Sequence, residues 1–378
     1  MQAPAPPTRR ECRRQHRRLG ANVAGCPQIA PTSGAVGADR AVMVMDIEAM
    51  IVRGSVAGEL PLPAMEPFTY RQALDAGVTR HQLGRLVQEG LLRRPLRTVY
   101  LATEAGDSLP VRAACLRLVV PPDCVVVDRH AGWLLGAQMI LRPGEHLDLR
   151  PLSIFRPSGN GRLRNDLASS GERNLADRDV MEIGGLRVTT PLRTAWDLGR
   201  VRWTDEAISG LDAMFRLKAF SRDEFLDGIE RFRKMRWITT LRAIGPHADG
   251  RSESPGESVL RLRCIEANVP VEPQVEVYRD AVLIARLDLA NKDLLFAVEY
   301  DGVEWHSSPD QIEHDRTRRS DLAAHGWLSL ALDAQDVFGR QRMCDRIIRE
   351  GAREARARRG LRIDGSAQAP SRHLFGLQ

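Results

Sequence analysis

The sequence predicts a mixed α/β (α+β) fold in three parts, and three observations support this. Two short helical patterns and a hairpin pattern occupy the N-terminal part, and strand and helix patterns alternate in the middle. A helix, three strands, a helix, a strand and a helix follow in that order towards the C-terminus. With 378 residues, of which 43% are hydrophobic, the chain can bury a core in each part.

Composition suggests where the parts begin and end. Residues 1–42 are rich in Arg, Ala, Gly and Pro without apolar periodicity, which predicts disorder or a start assigned too early, because Met43 and Met45 precede the first ordered pattern. The ordered parts are expected at 43–103, 104–245 and 254–359. The polar, turn-rich residues 246–253 are expected to form a linker, and residues 360–378 a disordered tail.

Charge and cysteine content narrow the class of protein. The net charge of +6 and the pI near 9.3 are modest, so they are weak evidence for a nucleic-acid partner. The six cysteines form no C-x-x-C pair, which argues against a zinc knuckle and a disulfide framework. Neither a membrane-spanning run nor a secretory signal is evident, so we expect a cytoplasmic protein without a membrane partner.

The N-terminal part has the pattern helix, turn, helix and wing. A short helix is predicted over Tyr70–Ala76, Thr79 caps a second helix that ends near Glu89, and Leu91–Leu101 forms a hairpin. Apolar residues of the second helix face inward, which leaves polar side chains for phosphates and base edges. The candidate DNA-binding residues here are Arg80, His81 and Arg85 on the helix and Arg93, Arg94 and Arg97 on the wing.

This segment resembles the winged-helix domain of AbiEi-type antitoxin proteins. The resemblance lies in G-V-T-R-x-Q-L from Gly77, in L-x-x-x-G-L-L from Leu86 and in the wing pair Val99-Tyr100. It implies a DNA-binding winged helix and, in an antitoxin, a cognate toxin protein as partner. The alternative is that the domain only packs on its neighbours and that its arginines form a solvated face.

The middle part shows two patterns in which a strand leads into a helix. We interpret this part as a scaffold or a partner-binding surface. Cys124–Val127 predicts a strand that leads into a helix containing His130, which we interpret as structural. Thr190 caps another helix, whose segment 189–198 is also similar to AbiEi-like proteins. Arg193 and Asp197 are four residues apart there, so we expect a local salt bridge worth a few tenths of a kcal/mol.

The C-terminal part carries acidic residues at the ends of apolar strands. Ser254 is predicted to cap a helix that reaches Ala267 and contains Glu257. Three strands should then form an antiparallel meander, so that Asp288 and Glu299 present carboxylates at a cleft. The remaining predictions are strands at 274–279, 281–289, 294–299 and 327–332, and helices at 314–324 and 336–359.

The order αβββαβα is the core of the PD-(D/E)XK nucleases. Within that order, the residues at the strand ends and in the helices resemble those of the Vsr-like branch, the relatives of very-short-patch-repair endonucleases. Carboxylates suit Mg²⁺ or Mn²⁺, so Asp288 and Glu299 are the candidate metal ligands. The resemblance implies that Glu257 aids a metal-bound water and that Arg316 or Arg319 holds a phosphate. The candidate catalytic residues are Glu257, Asp288, Glu299, Asp301, which stands in place of the superfamily lysine, and His306, as base or phosphate donor.

Two functions therefore remain open at the level of sequence. The first is a Mg²⁺-dependent DNA endonuclease whose winged helix holds the duplex. The second is a non-catalytic AbiEi-like antitoxin and transcriptional regulator with a degenerate nuclease fold. The sequence determines neither the DNA site nor the oligomeric state.

Overall fold

The computed structural model describes residues 45–137, 151–161, 163, 168–169, 171–302, 309–338 and 343–360. The predictions for residues 1–42, for 361–378 and for His306 lie outside these described residues. Helices and strands are interspersed along the described chain, which is the mixed α/β class that the sequence predicts.

The described helices are α1 Ile47–Arg53, α2 Tyr70–Asp75, α3 Arg80–Gln88, α4 Leu109–Arg117, α5 Asp128–Leu134, α6 Pro191–Gly199, α7 Thr204–Arg216, α8 Arg222–Gly228, α9 Ile238–Ile244, α10 Pro255–Glu266, α11 Pro309–Ala324, α12 Ala334–Val337 and α13 Cys344–Arg358. The described strands are β1 Phe68–Thr69, β2 Leu92–Leu96, β3 Val99–Ala102, β4 Val125–Val126, β5 Leu152–Pro157, β6 Ala168–Ser169, β7 Glu172–Arg173, β8 Val180–Ile183, β9 Leu186–Thr189, β10 Glu272–Arg279, β11 Val282–Asn291, β12 Phe296–Asp301 and β13 Leu328–Asp333.

The N-terminal part is a helix-turn-helix followed by a β-hairpin wing. Thr69 and Thr79 cap α2 and α3, and each forms a capping box with the glutamine three residues later. Gly77, with φ of 88°, allows the tight turn between the two helices. The strands pair in the order β1-β3-β2.

The wing strand β3 is buried on both faces. Because side chains alternate along a strand, Tyr100 and Ala102 pack into the core of the N-terminal part, while Val99 and Leu101 pack with Leu116 in the core of the middle part. The wing is therefore fixed to the next part of the chain, and only its turn and its outer edge remain available to a ligand.

The middle part combines a twisted sheet with a helical layer. Its strands follow the order β6-β5-β4-β9-β8, with β7 also paired to β5. The central strand β4 pairs antiparallel with β5 and parallel with β9. Helices α6, α7 and α9 pack on one another around Trp196, Leu211 and Leu241.

The C-terminal part has three layers, with helices on both faces of a four-stranded sheet. The strand order is β10-β11-β12-β13; the first three are antiparallel neighbours, and β12 and β13 run parallel. Helices α10 and α13 cover one face through Leu260 and Ile348, and α11 covers the other through Leu322. The antiparallel meander predicted from the sequence is confirmed.

Two predicted helix bounds were wrong. The helix predicted from residue 314 begins at Pro309. The single helix predicted over 336–359 is instead α12 and α13, because Phe338 is extended, with φ of −99° and ψ of 157°. The carbonyl of Val337 accepts a hydrogen bond from Arg263 Nε at 3.1 Å, so a side chain from α10 satisfies the backbone where the helix ends.

Residues 246–253, predicted as a linker, pack against both neighbouring parts. Ser252 and Ala248 are buried, and the backbone N–H of Asp249 donates to Asp212 on α7 at 2.8 Å. Arg261 on α10 also pairs with Asp212, at 2.6 Å. One hydrophobic core therefore continues from the helices of the middle part into the C-terminal sheet.

None of the helices in the described residues is long and apolar enough to cross a membrane.

Candidate functional site

The second helix of the helix-turn-helix, α3, presents a polar face to solvent. Leu83 and Leu86 anchor its inner face in the core. On the outer face, Arg80 and His81 are exposed in the first turn, and Gln88 is exposed at the last residue of the helix. This face combines a permanent cation with side chains that donate and accept hydrogen bonds.

An open groove of about 810 Å³ runs along this face. Gly84 keeps the surface low at the centre of the helix, because it has no side chain there. Arg85 is partly buried beside the groove and forms an ion pair with Glu48 of α1. The groove is lined by Arg80, His81, Gly84, Arg85, Gln88 and Glu89.

The three wing arginines occupy different environments. Arg93 donates from Nη2 to the backbone carbonyl of Gly106, which turns it towards the body of the protein. Arg94 is exposed, with its guanidinium carbon 5.4 Å from the centre of the Tyr100 ring. Arg97 is exposed in the turn of the wing, next to Thr98 in the left-handed region with φ of 65°. Arg94 and Arg97, in contrast to Arg93, are therefore exposed to solvent on the wing.

A second candidate site lies on the C-terminal sheet, where Asp288 and Glu299 occupy neighbouring strands. Leu289 pairs with Val298, so Asp288 lies opposite Glu299. One oxygen of Asp288, Oδ2, accepts a hydrogen bond from the backbone N–H of Tyr300 at 2.9 Å. Burial raises the pKa of Asp288 above its usual value, and the charge of Glu299 adds a smaller rise. The hydrogen bond from Tyr300 lowers the pKa but does not cancel the rise.

Glu257 faces the same site from the first turn of α10. Its Oε2 accepts from the backbone N–H of Glu253 at 2.7 Å and from Nε2 of Gln274 at 2.9 Å. Burial raises its pKa, and the nearby charge of Asp288 adds to the rise. Gly256 makes this arrangement possible, because a Cβ there would lie 2.2 Å from the ring of Tyr300. The fold thus brings Glu257, Asp288 and Glu299 to one end of the sheet.

The arginine that reaches this cluster is Arg318 of α11. Its Nη2 donates to both carboxylate oxygens of Glu299, at 2.9 and 2.8 Å. Its Nε is buried without a hydrogen-bond partner. Sequence reasoning named Arg316 and Arg319 instead, and both are exposed. The missed indication was that Arg318 lies one turn before Leu322, the buried residue that anchors α11 on the sheet.

The chemistry of these residues suits a hard cation, while their arrangement leaves the cation site incomplete. Carboxylate oxygens are preferred Mg²⁺ ligands, and two buried acids with raised pKa values would gain from a cation between them. Arg318, however, already neutralises Glu299. Within the described residues, no group of three or more His, Cys, Asp or Glu side chains is placed to hold a metal ion. Asp301 is partly buried at the end of β12, and His306 lies outside the described residues.

The middle part contains a buried ion cluster centred on Asp197. Asp197 accepts from Arg193 Nε at 2.9 Å, from Arg173 Nη1 at 3.1 Å and from Arg200 Nη2 at 2.8 Å. The predicted Arg193–Asp197 pair is present, but both side chains are buried. The stabilisation of a few tenths of a kcal/mol, which applies to an exposed helix pair, therefore does not apply to it.

Nearby, His130 serves the scaffold. Its Nδ1 accepts from the backbone N–H of Ser153 at 3.0 Å, and burial lowers its pKa to about 3. The imidazole is therefore neutral at physiological pH, which agrees with the structural interpretation of this residue.

Comparisons with known proteins agree with part of this description. The family model of the AbiEi antitoxin, a transcriptional regulator, matches residues 65–103, which contain α2, α3 and the wing. The uncharacterized protein Rv2248 of Mycobacterium tuberculosis strain H37Rv and the uncharacterized protein MT2308 of strain CDC 1551 are each 30% identical to this chain over 261 residues. The alignments cover 69% of this chain and 92% of each relative.

Proposed function

We propose that this chain, which belongs to the same family as these two mycobacterial proteins, is a DNA-binding transcriptional regulator of the AbiEi antitoxin type. The observation that carries the proposal is the outer face of α3, where Arg80, His81 and Gln88 line an open groove within the matched segment. In this proposal α3 enters the major groove of duplex DNA, and the wing contacts the adjacent backbone.

The dimensions and chemistry of this face support that docking. The major groove is about 12 Å wide and admits one α-helix, whose side chains can meet base edges. Arg80 near the start of α3 suits bidentate contact with guanine or phosphate, and Gln88 can pair with adenine in the same manner. Arg94 and Arg97 on the outer edge of the wing suit phosphates, which fix orientation rather than sequence.

An antitoxin also has a protein partner, and we propose that a cognate toxin binds this chain outside α3. The groove face is polar and charged, whereas the core of a stable protein interface is depleted in charged residues. DNA binding and toxin binding should therefore be separable by substitutions on α3.

A gel-shift titration with the duplex upstream of the protein's own reading frame tests the proposal. We expect Arg80→Ala to weaken binding by about 1–3 kcal/mol, the usual value of a bidentate base contact. Arg71→Ala is the matched control, because Arg71 is 91% exposed on the neighbouring helix α2. Equal binding by wild type and Arg80→Ala, or equal losses in both variants, would count against docking through α3.

The C-terminal part supports a second candidate function, Mg²⁺- or Mn²⁺-dependent hydrolysis of phosphodiester bonds in DNA. The observation that favours it is that Glu257, Asp288 and Glu299 converge at one end of the C-terminal sheet. The strands of this sheet follow the order β10-β11-β12-β13, in which only β12 and β13 are parallel neighbours. Asp288 and Glu299 would hold the cation, which would neutralise the phosphate and activate a water. Glu257 would orient that water, with Asp301 and His306 as the remaining candidate groups.

Two features weigh against an active nuclease. Asp301 replaces the lysine of the superfamily pattern and cannot donate to phosphate as an ammonium does. Arg318 holds Glu299, so a cation must compete with a guanidinium for the same carboxylate.

Cleavage of plasmid DNA by the full-length protein, with and without Mg²⁺ or Mn²⁺, separates the two functions. The regulator requires binding without cleavage, and the nuclease requires cleavage that Asp288→Ala abolishes while Arg80→Ala only weakens it. Metal-independent cleavage, or cleavage retained by Asp288→Ala, would exclude this site as the catalyst.

A further inference from the structure

A short loop of the middle part concentrates positive charge outside both candidate sites. Residues 231–244 contain four arginines and one lysine and no acidic residue. Within this stretch Arg233, Lys234 and Arg236 are exposed in the loop between α8 and α9. We call residues 231–237 the basic loop.

The basic loop is fixed from beneath. Phe232 and Ile238, at its two ends, are buried in the core with 3% and 8% exposure. Arg200, the residue after α6, donates from Nη1 to the carbonyl of Arg236 at 3.2 Å, and Arg231 binds the buried Asp179. The loop therefore presents its three exposed cations from an anchored backbone, which lowers the entropy lost on binding a ligand.

The backbone of the basic loop is strained. Lys234 and Trp237 both lie in the left-handed region, with φ of 68° and 63°. Such conformations are disfavoured for residues with a Cβ, and they persist where the surrounding contacts impose them. Two of them lie within four residues, in the stretch that carries the three exposed cations, and this is the kind of outlier from which a binding function is inferred.

Two arginines in this area stack on tryptophans. The guanidinium carbon of Arg236 lies 5.0 Å from the ring centre of Trp237, and that of Arg202 lies 4.7 Å from the ring centre of Trp203. Arg202 is two residues after Arg200, which bonds to the loop, so its Cα lies within about 7 Å of that of Arg200. Stacking holds each guanidinium in a plane and leaves its N–H groups available to a bidentate acceptor.

Two acidic residues close to the loop are already paired with cations. Glu230 pairs with Arg242 at 2.7 Å, and Asp179 is buried between Arg193 and Arg231. The charge of Arg233, Lys234 and Arg236 is thus directed to solvent, where it creates a positive potential.

We propose that the basic loop, together with Arg202 and Trp203, is a second contact surface for the phosphate backbone of duplex DNA. This inference rests on the proposed DNA-binding function. The ligand must be anionic and must offer pairs of oxygen acceptors to a guanidinium, and phosphates meet both requirements. Met235 and Trp203, 38% and 48% exposed, lie among these cations, so an acidic protein is the alternative occupant. Duplex DNA is favoured because residues 231–244 contain five cationic residues and no acidic residue, which matches a uniformly anionic phosphate backbone. Contacts of this kind bind every sequence alike and add affinity without specificity.

The test is the salt dependence of DNA binding by the full-length protein. Dissociation constants are measured between 50 and 200 mM salt for the upstream duplex and for an unrelated duplex of equal length. For the variant Arg233→Ala/Lys234→Ala/Arg236→Ala, the log-log slope should become shallower by about 2.7, from about 0.9 for each lost phosphate contact. The change should be the same for both duplexes.

A matched control removes the same charge elsewhere. Arg349, Arg353 and Arg359 are exposed on or beside α13, so their triple alanine variant changes the net charge equally. We expect the slope of this control to differ from the wild-type slope by no more than about 0.9, the value of one phosphate contact. An equal drop in the control would reduce the effect to net charge and overturn the inference.

The remaining outcomes distinguish the two proposals. Wild-type binding with an unchanged slope in the loop variant would refute the second surface and leave docking through α3 intact. If the loop variant binds DNA like wild type but loses a protein partner, the loop belongs to an acidic protein interface instead. Absence of DNA binding by the wild-type protein would overturn both proposals.

Discussion

Replacing Asp197 by alanine would show how much the buried ion cluster contributes to folding. The Asp197 side chain is 1% exposed and accepts hydrogen bonds from three arginines. Removing one partner of a buried ion pair costs about 3–5 kcal/mol, because a charge remains buried without compensation. Arg173 and Arg193 keep Asp128 and Asp179 as partners, so the low end, about 3 kcal/mol, is expected.

The protein offers an exposed pair of the same spacing as a control. Arg71 and Asp75 are also four residues apart on a helix, but their side chains are 91% and 74% exposed. An exposed pair of this kind contributes at most about 0.5 kcal/mol. The comparison of Asp197→Ala with Asp75→Ala therefore isolates burial as the variable.

Urea unfolding followed by circular dichroism measures both variants. At about 2 °C per kcal/mol for a chain of this length, Asp197→Ala should also lower the melting temperature by about 6 °C. Although burial alone would raise the pKa of Asp197, the charges of Arg173, Arg193 and Arg200 outweigh it and lower the pKa. The contribution of Asp197 is therefore present at neutral pH and is lost only as the pH falls below its ordinary value of 3.8. If Asp197→Ala destabilises the protein no more than Asp75→Ala, the reasoning from burial is refuted.

Three further predictions concern the candidate sites. Without metal at pH 7, Asp288→Asn should raise the melting temperature, because the raised pKa of Asp288 means that folding disfavours its charged carboxylate. The gain should vanish below pH 3.8, and a lower melting temperature at pH 7 would contradict the prediction. Glu48→Gln should steepen the log-log slope of DNA affinity against salt by up to about 0.9, because it releases Arg85 to a phosphate, and it should cost under about 1 kcal/mol of stability. An unchanged slope would mean that Arg85 makes no such contact. Gly256→Ala should destabilise the protein by about 1–3 kcal/mol in urea unfolding, since its Cβ would meet the Tyr300 ring; wild-type stability would show that the ring can move.

The local elements of this fold are predictable because their determinants are close in sequence. Thr79 and Ser254 begin α3 and α10 through caps that involve residues three positions away. The apolar spacing of Leu83 and Leu86 fixes which face of α3 is exposed. The placement of Asp288 beside Glu299 follows from the alternation of two antiparallel strands.

The features that the sequence does not reveal depend on distant contacts. The burial of β3 on both faces arises because the middle part covers the wing. The cluster around Asp197 draws Arg173 from β7 and Arg200 from the end of α6, and such a set has no common spacing. The break before α13 coincides with a hydrogen bond from Arg263, 74 residues away.

Arg318 is an intermediate case between local and distant determinants. Its position relative to Leu322 is visible in the sequence, whereas its choice of Glu299 as partner depends on how α11 lies on the sheet. Helix periodicity could have separated Arg318 from its neighbours Arg316 and Arg319, and only the tertiary structure could name its acceptor.

Photo-crosslinking from α3 tests the central proposal most directly. A photoreactive amino acid replaces His81 on the exposed face of α3, and a control replaces Val282, which is 65% exposed at the start of β11. With α3 in the major groove, irradiation of the complex with the upstream duplex should give a covalent protein–DNA adduct from position 81 and none from position 282. No adduct from position 81, or equal adducts from both positions, would contradict docking of DNA through this helix.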